Sequence, residues 1–167
     1  MTASLAADAA SVTMFVGVDP ADAFEVFTTD IDQWWRRGPR FRAGAGASTL
    51  HLEPRLGGRF YELYAPRQAA DALARHELGE VLAWDPPGHL AFEWRATNFV
   101  AGETTRVDIF FTASGAGTSV RLIHSGWAAL RGDHPVRHGQ PTGPFLAGRG
   151  MWWTDLLRAL AARLTGD

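Results

Sequence analysis

Hydrophobic residues along this chain recur with two different periods, one typical of strands and one typical of helices. Between residues 48 and 125, short apolar runs alternate with polar positions, which indicates strands with one buried face. Pairs of these runs flank turn signals at residues 55–58, 85–88 and 114–117. Because strands joined by tight turns run antiparallel, the pattern predicts an antiparallel sheet built from consecutive hairpins.

The last hairpin has a register that follows from its turn. Pairing across residues 115–116 predicts three opposed pairs: Phe111 with Val120, Ile109 with Leu122, and Val107 with His124. One face is then apolar and the other mixed, as expected for a sheet that is covered on one side. This register places the His124 side chain on the covered face.

The hairpin "GEVLAWDPPGHLAFEW", residues 79–94, leaves two registers open. A loop of five residues pairs Trp84 with Leu90 and therefore Glu80 with Trp94, whereas a loop of four residues pairs Val81 with Trp94. A slip of one residue reverses every side chain, and a bulge would reconcile both patterns. The face on which Glu80 lies is therefore not determined.

Helical patterns lie before and after the hairpins. A β-rich run at residues 12–18 stops at Asp19-Pro20, where Asp19 is suited to cap a helix that begins at Pro20. A second short helix is predicted from Thr29 or Asp30 through Trp35. Near the C-terminus, residues 148–166 predict a long helix with one apolar stripe: Trp153, Leu156, Leu157, Leu160 and Leu164, with Trp152 on its flank.

The apolar side of the final helix needs a partner, and the sheet is the surface that the sequence offers. We therefore predict an α+β fold in which a curved antiparallel sheet wraps around the C-terminal helix. A chain of 167 residues is one ordinary domain in length. The predicted organisation is a loose N-terminal tail at residues 1–11 and a single domain at residues 12–167.

Composition narrows the classes of protein to consider. A net charge of −2 gives no electrostatic reason to expect nucleic acid or an anionic membrane as a partner. The chain contains no cysteine, which excludes disulfides, thiolate zinc sites and cysteine nucleophiles. Neither a secretion signal nor an apolar run of the ~20 residues that cross a bilayer is visible. We expect a cytoplasmic protein.

Four stretches together resemble a known family: "EPRLGGRFYE", "GEVLAWDPPGHLAFEW", "HSGW" at residues 124–127, and Trp153 leading into "LLRALAARL". Their order and spacing are similar to those of the START-like SRPBCC superfamily, in its branch related to the activator of the heat-shock chaperone ATPase. The resemblance covers residues 12–164. It implies a helix-grip fold with a cavity between the sheet and the C-terminal helix, a superfamily feature used for lipids, hormones and polyketides.

Two segments are longer than is common in that branch, residues 65–77 and residues 128–148. Both are interpreted as surface decoration or as rims of the cavity mouth, and the second lies where a lid would be expected. Large rings are the strongest candidates for the cavity wall, because pockets for small molecules are mostly apolar and aromatic. The predicted ligand-binding residues are Trp34, Trp35, Tyr64, Phe92, Trp94, Trp127, Phe145, Arg149 and Trp153.

Three polar residues carry chemistry in this interpretation. His124 and Glu62 are weak candidates for a catalytic acid–base pair, although a buried neutral histidine and an exposed or arginine-paired carboxylate are the simpler alternatives. Arg149, at the edge of the helix stripe, is suited to bind a ligand carboxylate. Asp133, His134 and His138 lie within six residues, but the intervening proline and glycines do not indicate a metal site.

The sequence supports three functions. The first is the binding of a small, largely apolar molecule in the cavity, with no nucleic acid or membrane as partner and with a monomer or homodimer as the assembly. The second is an enzyme acting on such a molecule, for example a cyclase, dehydratase or hydrolase. The third is regulation of a chaperone ATPase through protein interaction. No cofactor or metal is expected, since phosphate-loop, serine-elbow and zinc-binding motifs are missing from the sequence.

Overall fold

An antiparallel sheet dominates the computed structural model, which describes residues 8–44, 46–66 and 72–165. In chain order, the elements are β1 Ala10–Val16, α1 Pro20–Thr29, α2 Ile31–Trp34, β2 Ser48–Leu52, β3 Arg59–Tyr64, β4 Ala74–Asp85, β5 His89–Trp94, β6 Thr105–Ser114, β7 Gly117–Ser125, 3₁₀ turns at Trp127–Ala129 and Pro135–Arg137, and α3 Thr142–Thr165. The strands lie in the order β1-β7-β6-β5-β4-β3-β2. The predicted α+β helix-grip architecture is confirmed.

The register of the β6–β7 hairpin is the one that its turn predicts. Phe111 pairs with Val120, Ile109 with Leu122, and Val107 with His124. All six of these side chains are buried, since none exposes more than 3% of its surface. The inward-facing rows of this hairpin form the middle of the sheet's concave face.

The hairpin at residues 79–94 combines its two candidate registers through a bulge. Next to the diproline turn, Trp84 pairs with Leu90, as the five-residue loop requires. The register then shifts between Val81 and Ala83, so that Val81 pairs with Phe92. Glu80 is half-buried and pairs with Arg59 of β3. Backbones are crowded here, because a Cβ added at Gly79 would overlap the carbonyl of Glu93.

The first helix begins as predicted. The Asp19 carboxylate accepts a hydrogen bond from the Asp22 backbone N–H at 2.9 Å, and Pro20 occupies the first helical turn. Residues Ala10 and Ser11, assigned to the tail by the sequence, belong to β1 instead. Residues 1–7 lie outside the described part of the chain.

The C-terminal helix begins at Thr142, six residues before the predicted start, and therefore includes Phe145. Proline at residue 144 is accommodated because the first turn of a helix needs no N–H donor there. The segment that the sequence presented as a lid loop thus contains two 3₁₀ turns and the first two turns of α3. Residues 67–71 of the other long segment lie outside the described residues.

Buried side chains form two clusters. The larger one fills the space between the sheet, α1, α2 and the C-terminal half of α3. The smaller one contains Phe99, Trp127, Leu130, Val136 and Phe145, and it packs the segment between β7 and α3 against the loop that joins β5 and β6. No helix among the described residues is both long and apolar enough to cross a bilayer.

Candidate functional site

A cavity of about 560 Å³ separates the N-terminal half of α3 from one end of the sheet. That volume lies within the range of roughly 300–1,000 Å³ that is usual for small-molecule sites. Its walls come from the segment before β2, from β3, β4 and β5, from the two loops beyond β5 and β7, and from α3: Pro39, Arg40, Phe41, Arg42, Ala43, Glu62, His76, Leu78, Trp94, Arg95, Ala96, Thr97, Asn98, Val136, His138, Arg149 and Trp152. The concave face is therefore filled at one end and open at the other.

Two tryptophans form the aromatic part of the wall. Trp94 of β5 and Trp152 of α3 meet edge to face, with ring centroids 5.7 Å apart. The Trp152 Nε1–H donates a hydrogen bond to the Arg40 carbonyl at 2.8 Å, and Phe41 packs against the same indole at 5.4 Å. These contacts hold α3 and the segment before β2 at a fixed separation, so the wall is preformed.

Arg42 anchors the segment that carries Phe41 and Ala43. Its guanidinium is completely buried and pairs with the Asp32 carboxylate at 2.7 Å. The same group donates to four backbone carbonyls, those of Asp32, Trp35, Arg36 and Ser48. This arginine thus ties the cavity wall to α2 and to the start of β2.

Glu62 lies in the wall but is already occupied by the backbone. Only 1% of its surface is exposed, and its two carboxylate oxygens accept hydrogen bonds from the N–H groups of Ala43 and Gly44, each at 2.8 Å. The sequence offered exposure or pairing with an arginine as simpler alternatives for Glu62. The structure shows neither, because the buried carboxylate is bound by backbone N–H groups. The carboxylate positions the Ala43–Gly44 turn.

Arg149 has a very different environment from Arg42. Its guanidinium carbon lies 5.0 Å from the Trp152 ring centroid, 5.6 Å from that of Trp127 and 5.8 Å from that of Phe145. Its Nε is buried without a hydrogen-bond partner among the described residues. Burial lowers the pKa of Arg149 to about 10. Arg149 is therefore a cation that packs against three aromatic rings and lines the cavity.

His124 is enclosed rather than presented to the cavity. The Trp153 indole N–H donates to its Nδ1 at 3.0 Å, so its proton lies on Nε2, which donates to the Thr105 hydroxyl at 2.7 Å. The hydroxyl in turn donates to the Trp94 carbonyl. Burial, with a smaller contribution from Arg149, holds the pKa of His124 well below 6.5. These contacts match the alternative of a buried neutral histidine, which orients Trp153.

Neutral burial of His124 makes stability depend on pH. The folded protein keeps the ring neutral, whereas the unfolded chain binds a proton below pH 6.5, so acid favours unfolding. We expect this residue to lower the free energy of unfolding by up to about 1.4 kcal/mol per pH unit below that value. Urea denaturation between pH 5 and pH 8, compared between wild type and His124→Gln, measures this contribution.

A matched control is His51→Gln, since His51 lies on the edge strand β2 and is partly exposed. Urea denaturation of this variant over the same pH range controls for the loss of a histidine that is not enclosed. Equal slopes for wild type and His124→Gln would show that His124 takes up its proton equally in both states.

The predicted ligand-binding residues separate into three groups. Trp94 and Arg149 line the cavity, and Phe145 lines an adjoining pocket of about 220 Å³ that shares Arg149 and Trp152 with it. Tyr64 is half-buried at the end of β3. The remaining members are packed in the two buried clusters, each with no more than 3% exposed: Trp34, Trp35, Phe92, Trp127 and Trp153.

This placement corrects the prediction that Trp34 and Trp35 bind the ligand, because both side chains are packed in the core. Their N–H groups donate to the carbonyls of Phe27 and Phe41, at 3.0 and 3.1 Å. These two side chains are therefore not exposed for contact with a partner.

Sequence reasoning missed Trp152, Arg42, His76 and Leu78 as parts of the wall. Trp152 could have been found, because it lies three residues after Arg149 on the same helical face. No sequence pattern marked His76 as a wall residue. In the structure, its Nε2 contacts the Arg95 carbonyl at 3.0 Å, and burial lowers its pKa. Strand pairing across β3, β4 and β5 brings it to the wall.

The histidine-containing loop before α3 is used structurally. His134 is 1% exposed; its Nδ1 accepts from the Val136 N–H, and its Nε2 donates to the Glu103 carboxylate at 2.8 Å. Among the described residues, no three histidine or carboxylate side chains are grouped so as to hold a metal ion.

Comparisons with known proteins agree with this architecture. The family model described as "Activator of Hsp90 ATPase homolog 1-like protein" matches residues 18–143. Protein MLL2253 from Mesorhizobium loti has a similar structure, with a TM-score of 0.62 and 18% identity over 95% of this chain and 96% of that one. No curated protein matches the sequence significantly.

Two further solved structures are similar. PFC0360w from Plasmodium falciparum, an HSP90 activator, has a TM-score of 0.63 and 15% identity over 95% of this chain and 96% of that one. CalU16 from Micromonospora echinospora has a TM-score of 0.60 and 17% identity over 95% of this chain and 75% of that one. At such identities, the likeness shows the fold.

Proposed function

This chain belongs to the family of activator of Hsp90 ATPase homolog 1-like proteins, and we propose that it binds a small, largely apolar molecule in the cavity between its sheet and α3. The observation that carries the proposal is the preformed cavity of about 560 Å³. Trp94, Trp152 and Leu78 supply apolar surface, and burying such surface is the main source of affinity in sites of this kind.

Preorganisation supports binding. The wall segment is held by the buried Arg42 and by Glu62, and α3 is held by the Trp152–Arg40 hydrogen bond. A ligand entering such a site would order few side chains, and this keeps the entropic cost of binding low.

The enzyme hypothesis loses its expected acid–base pair. His124 is enclosed by the rings of Trp94, Trp127 and Trp153, and both its nitrogens are hydrogen-bonded inside the protein. General acid–base catalysis needs a group within hydrogen-bond reach of the substrate. Glu62 lies in the wall, where its oxygens accept hydrogen bonds from Ala43 and Gly44. It does not form an acid–base pair with the enclosed His124.

Filling the cavity is the direct test. Ala43 lines it, and its N–H bond to Glu62 is made by the backbone, so Ala43→Phe adds a ring without removing that contact. With N-phenyl-1-naphthylamine, a neutral fluorescent probe of apolar sites, we expect wild type to bind and Ala43→Phe to bind about tenfold more weakly or worse, because apolar contact is lost. Fluorescence titration measures both dissociation constants.

Ala101→Phe is the matched control, since Ala101 is exposed in a turn outside the cavity. It should bind the probe as wild type does. Equal affinity for all three proteins would place the probe elsewhere, and failure of wild type to bind any of a broad panel of apolar probes would contradict the proposal.

Regulation of a chaperone ATPase is a second candidate, favoured by the family match and by the similarity to the P. falciparum HSP90 activator. Such a role acts through an outer surface and does not require the cavity. The host's Hsp90-type chaperone, assayed for ATP hydrolysis with wild type and with Ala43→Phe, separates the two candidates. Equal stimulation by both proteins would favour regulation.

A further inference from the structure

Arg149 differs from the other arginines around the cavity in having a buried Nε for which the described residues supply no hydrogen-bond partner. No carboxylate within the described ranges forms an ion pair with it, and its Nε makes no hydrogen bond there. Three aromatic rings, those of Trp127, Phe145 and Trp152, surround it at 5.0–5.8 Å. Rings stabilise a cation only in part, so a half-buried guanidinium whose Nε is enclosed without a hydrogen bond favours an anion beside it.

Two of the other arginines in the wall are paired with carboxylates, and Arg95 makes, within the described part of the chain, only an exposed hydrogen bond to a backbone carbonyl. Arg42 pairs with Asp32 at 2.7 Å, and Arg40 pairs with Asp155 at 2.8 Å. Arg95 donates to the Val100 carbonyl. The Glu62 carboxylate accepts from two backbone N–H groups, as described above.

With Arg42 and Arg40 paired to carboxylates, the positive charge left in the wall comes from Arg149 and Arg95, although the chain as a whole is acidic. Four arginines and one glutamate line it, whereas the net charge of the protein is −2. A concave surface lined by one sign of charge concentrates ligands of the opposite sign. The apolar surface of the same wall lies next to Arg149. The Trp152 ring is 5.0 Å from the guanidinium carbon, and the Trp94 ring contacts Trp152 at 5.7 Å.

We propose that the ligand of this cavity is an aromatic or polycyclic acid, whose oxyanion pairs with the guanidinium of Arg149 while its rings pack on Trp94 and Trp152. This inference rests on the proposed function and specifies its ligand class. The planar fork of arginine matches the two oxygens of a carboxylate and equally fits a sulfonate. Neutral molecules of the same shape lack the group that satisfies the buried charge.

Two probes that differ in one group test the inference. 8-Anilino-1-naphthalenesulfonate carries the sulfonate that N-phenyl-1-naphthylamine lacks, and both fluoresce when bound at apolar sites. Arg149→Met keeps an unbranched apolar stem but removes the guanidinium and its charge. We expect this change to weaken binding of the sulfonate by about tenfold or more, since a hydrogen-bonded ion pair is lost, and to change the affinity for the neutral probe less than about threefold.

Control variants locate the effect. Arg158→Met removes an exposed arginine of the same helix and should leave both affinities unchanged. Arg149→Lys keeps the charge without the fork, and an intermediate loss for the sulfonate probe is expected. Ala43→Phe should weaken the sulfonate probe as it weakens the neutral one, which places both in the cavity.

The outcomes separate this inference from the proposed function. If Arg149→Met weakens both probes equally, or weakens neither, while Ala43→Phe still weakens neutral binding, the cavity binds ligands but Arg149 does not select acids. If neither probe binds wild type, the ligand-binding proposal itself fails, and this inference fails with it. A selective loss of the sulfonate probe supports both.

Discussion

Replacing Arg42 by methionine is expected to cost about 3–5 kcal/mol of unfolding free energy, because the change leaves a buried network without its donor. The guanidinium has no exposed surface and makes hydrogen bonds to Asp32, Trp35, Arg36 and Ser48. Methionine fills similar space but donates no hydrogen bond, so buried carbonyls and the Asp32 carboxylate lose their partner. Urea denaturation monitored by tryptophan fluorescence measures the loss.

The acidic partner shows how strongly the network is coupled. Burial raises the pKa of Asp32, but hydrogen bonds from the Leu50 N–H and from Arg42 outweigh it, and the net pKa is lowered. Removing Arg42 leaves this carboxylate partly buried with less support. Arg42→Lys should also be destabilising, since an ammonium group cannot reproduce the five donors of the fork.

Arg37→Met is a close control, because Arg37 contacts two of the same residues from the outside. It pairs with Asp32 at 3.5 Å and donates to the Ser48 carbonyl at 2.7 Å, but its side chain is 56% exposed. Exposed ion pairs contribute little, and we expect a loss below about 1 kcal/mol. Similar costs for Arg37→Met and Arg42→Met would refute the assignment of Arg42 as the anchor of the cavity wall.

Arg149→Met is expected to act in the opposite direction and to stabilise the protein by about 1–3 kcal/mol at neutral pH. A pKa lowered by burial to about 10 means that folding disfavours the charged form, by roughly 3 kcal/mol in the limit. Lost contacts between the cation and its three rings offset part of the gain. Thermal or urea denaturation without ligand measures the difference.

The stability gained by Arg149→Met depends on pH because the pKa of Arg149 is lowered in the folded protein. Both folded and unfolded states keep the guanidinium protonated below about pH 10, so the advantage of methionine should be constant between pH 7 and pH 9. Above the folded pKa, wild type begins to release the proton and the advantage should shrink. Arg158→Met, at an exposed position of the same helix, is expected to change stability by less than about 0.5 kcal/mol.

A stabilising Arg149→Met would mean that the protein keeps a residue that lowers its stability. Residues of this kind are typical of binding sites, where a group prepared for a ligand is not satisfied without it. A destabilising result would instead identify the arginine as a structural contact of Trp127 and Trp152.

Much of the fold was accessible from the residues alone because local patterns determine it. The β6–β7 register follows from a tight glycine turn and from alternation over the flanking strands. Asp19 and Pro20 mark a helix start through hydrogen bonding and backbone angle, which require no distant partner. The bulge at Val81–Ala83, left open by the pattern, depends on how β4 fits both its neighbours.

The candidate site could be predicted only in part, because its wall is assembled by tertiary contacts rather than by local patterns. Trp94 and Arg149 were expected in the wall, whereas Trp34 and Trp35 turned out to be core. Large aromatic side chains serve equally well in a core and in a pocket wall, so residue type cannot distinguish the two. The early start of α3, which places Phe145 below Arg149, was hidden by glycines and proline in its first turns.

By itself, the amino-acid sequence determined the antiparallel hairpins, the long amphipathic C-terminal helix and their packing into an α+β domain, because hydrophobic periodicity and turn chemistry are local properties. Only the tertiary structure decided that Arg42 is enclosed by partners while Arg149 is left on aromatic rings at a cavity. Two identical side chains acquire opposite roles because the cost of a buried charge depends on what the folded chain brings within a few ångströms of it.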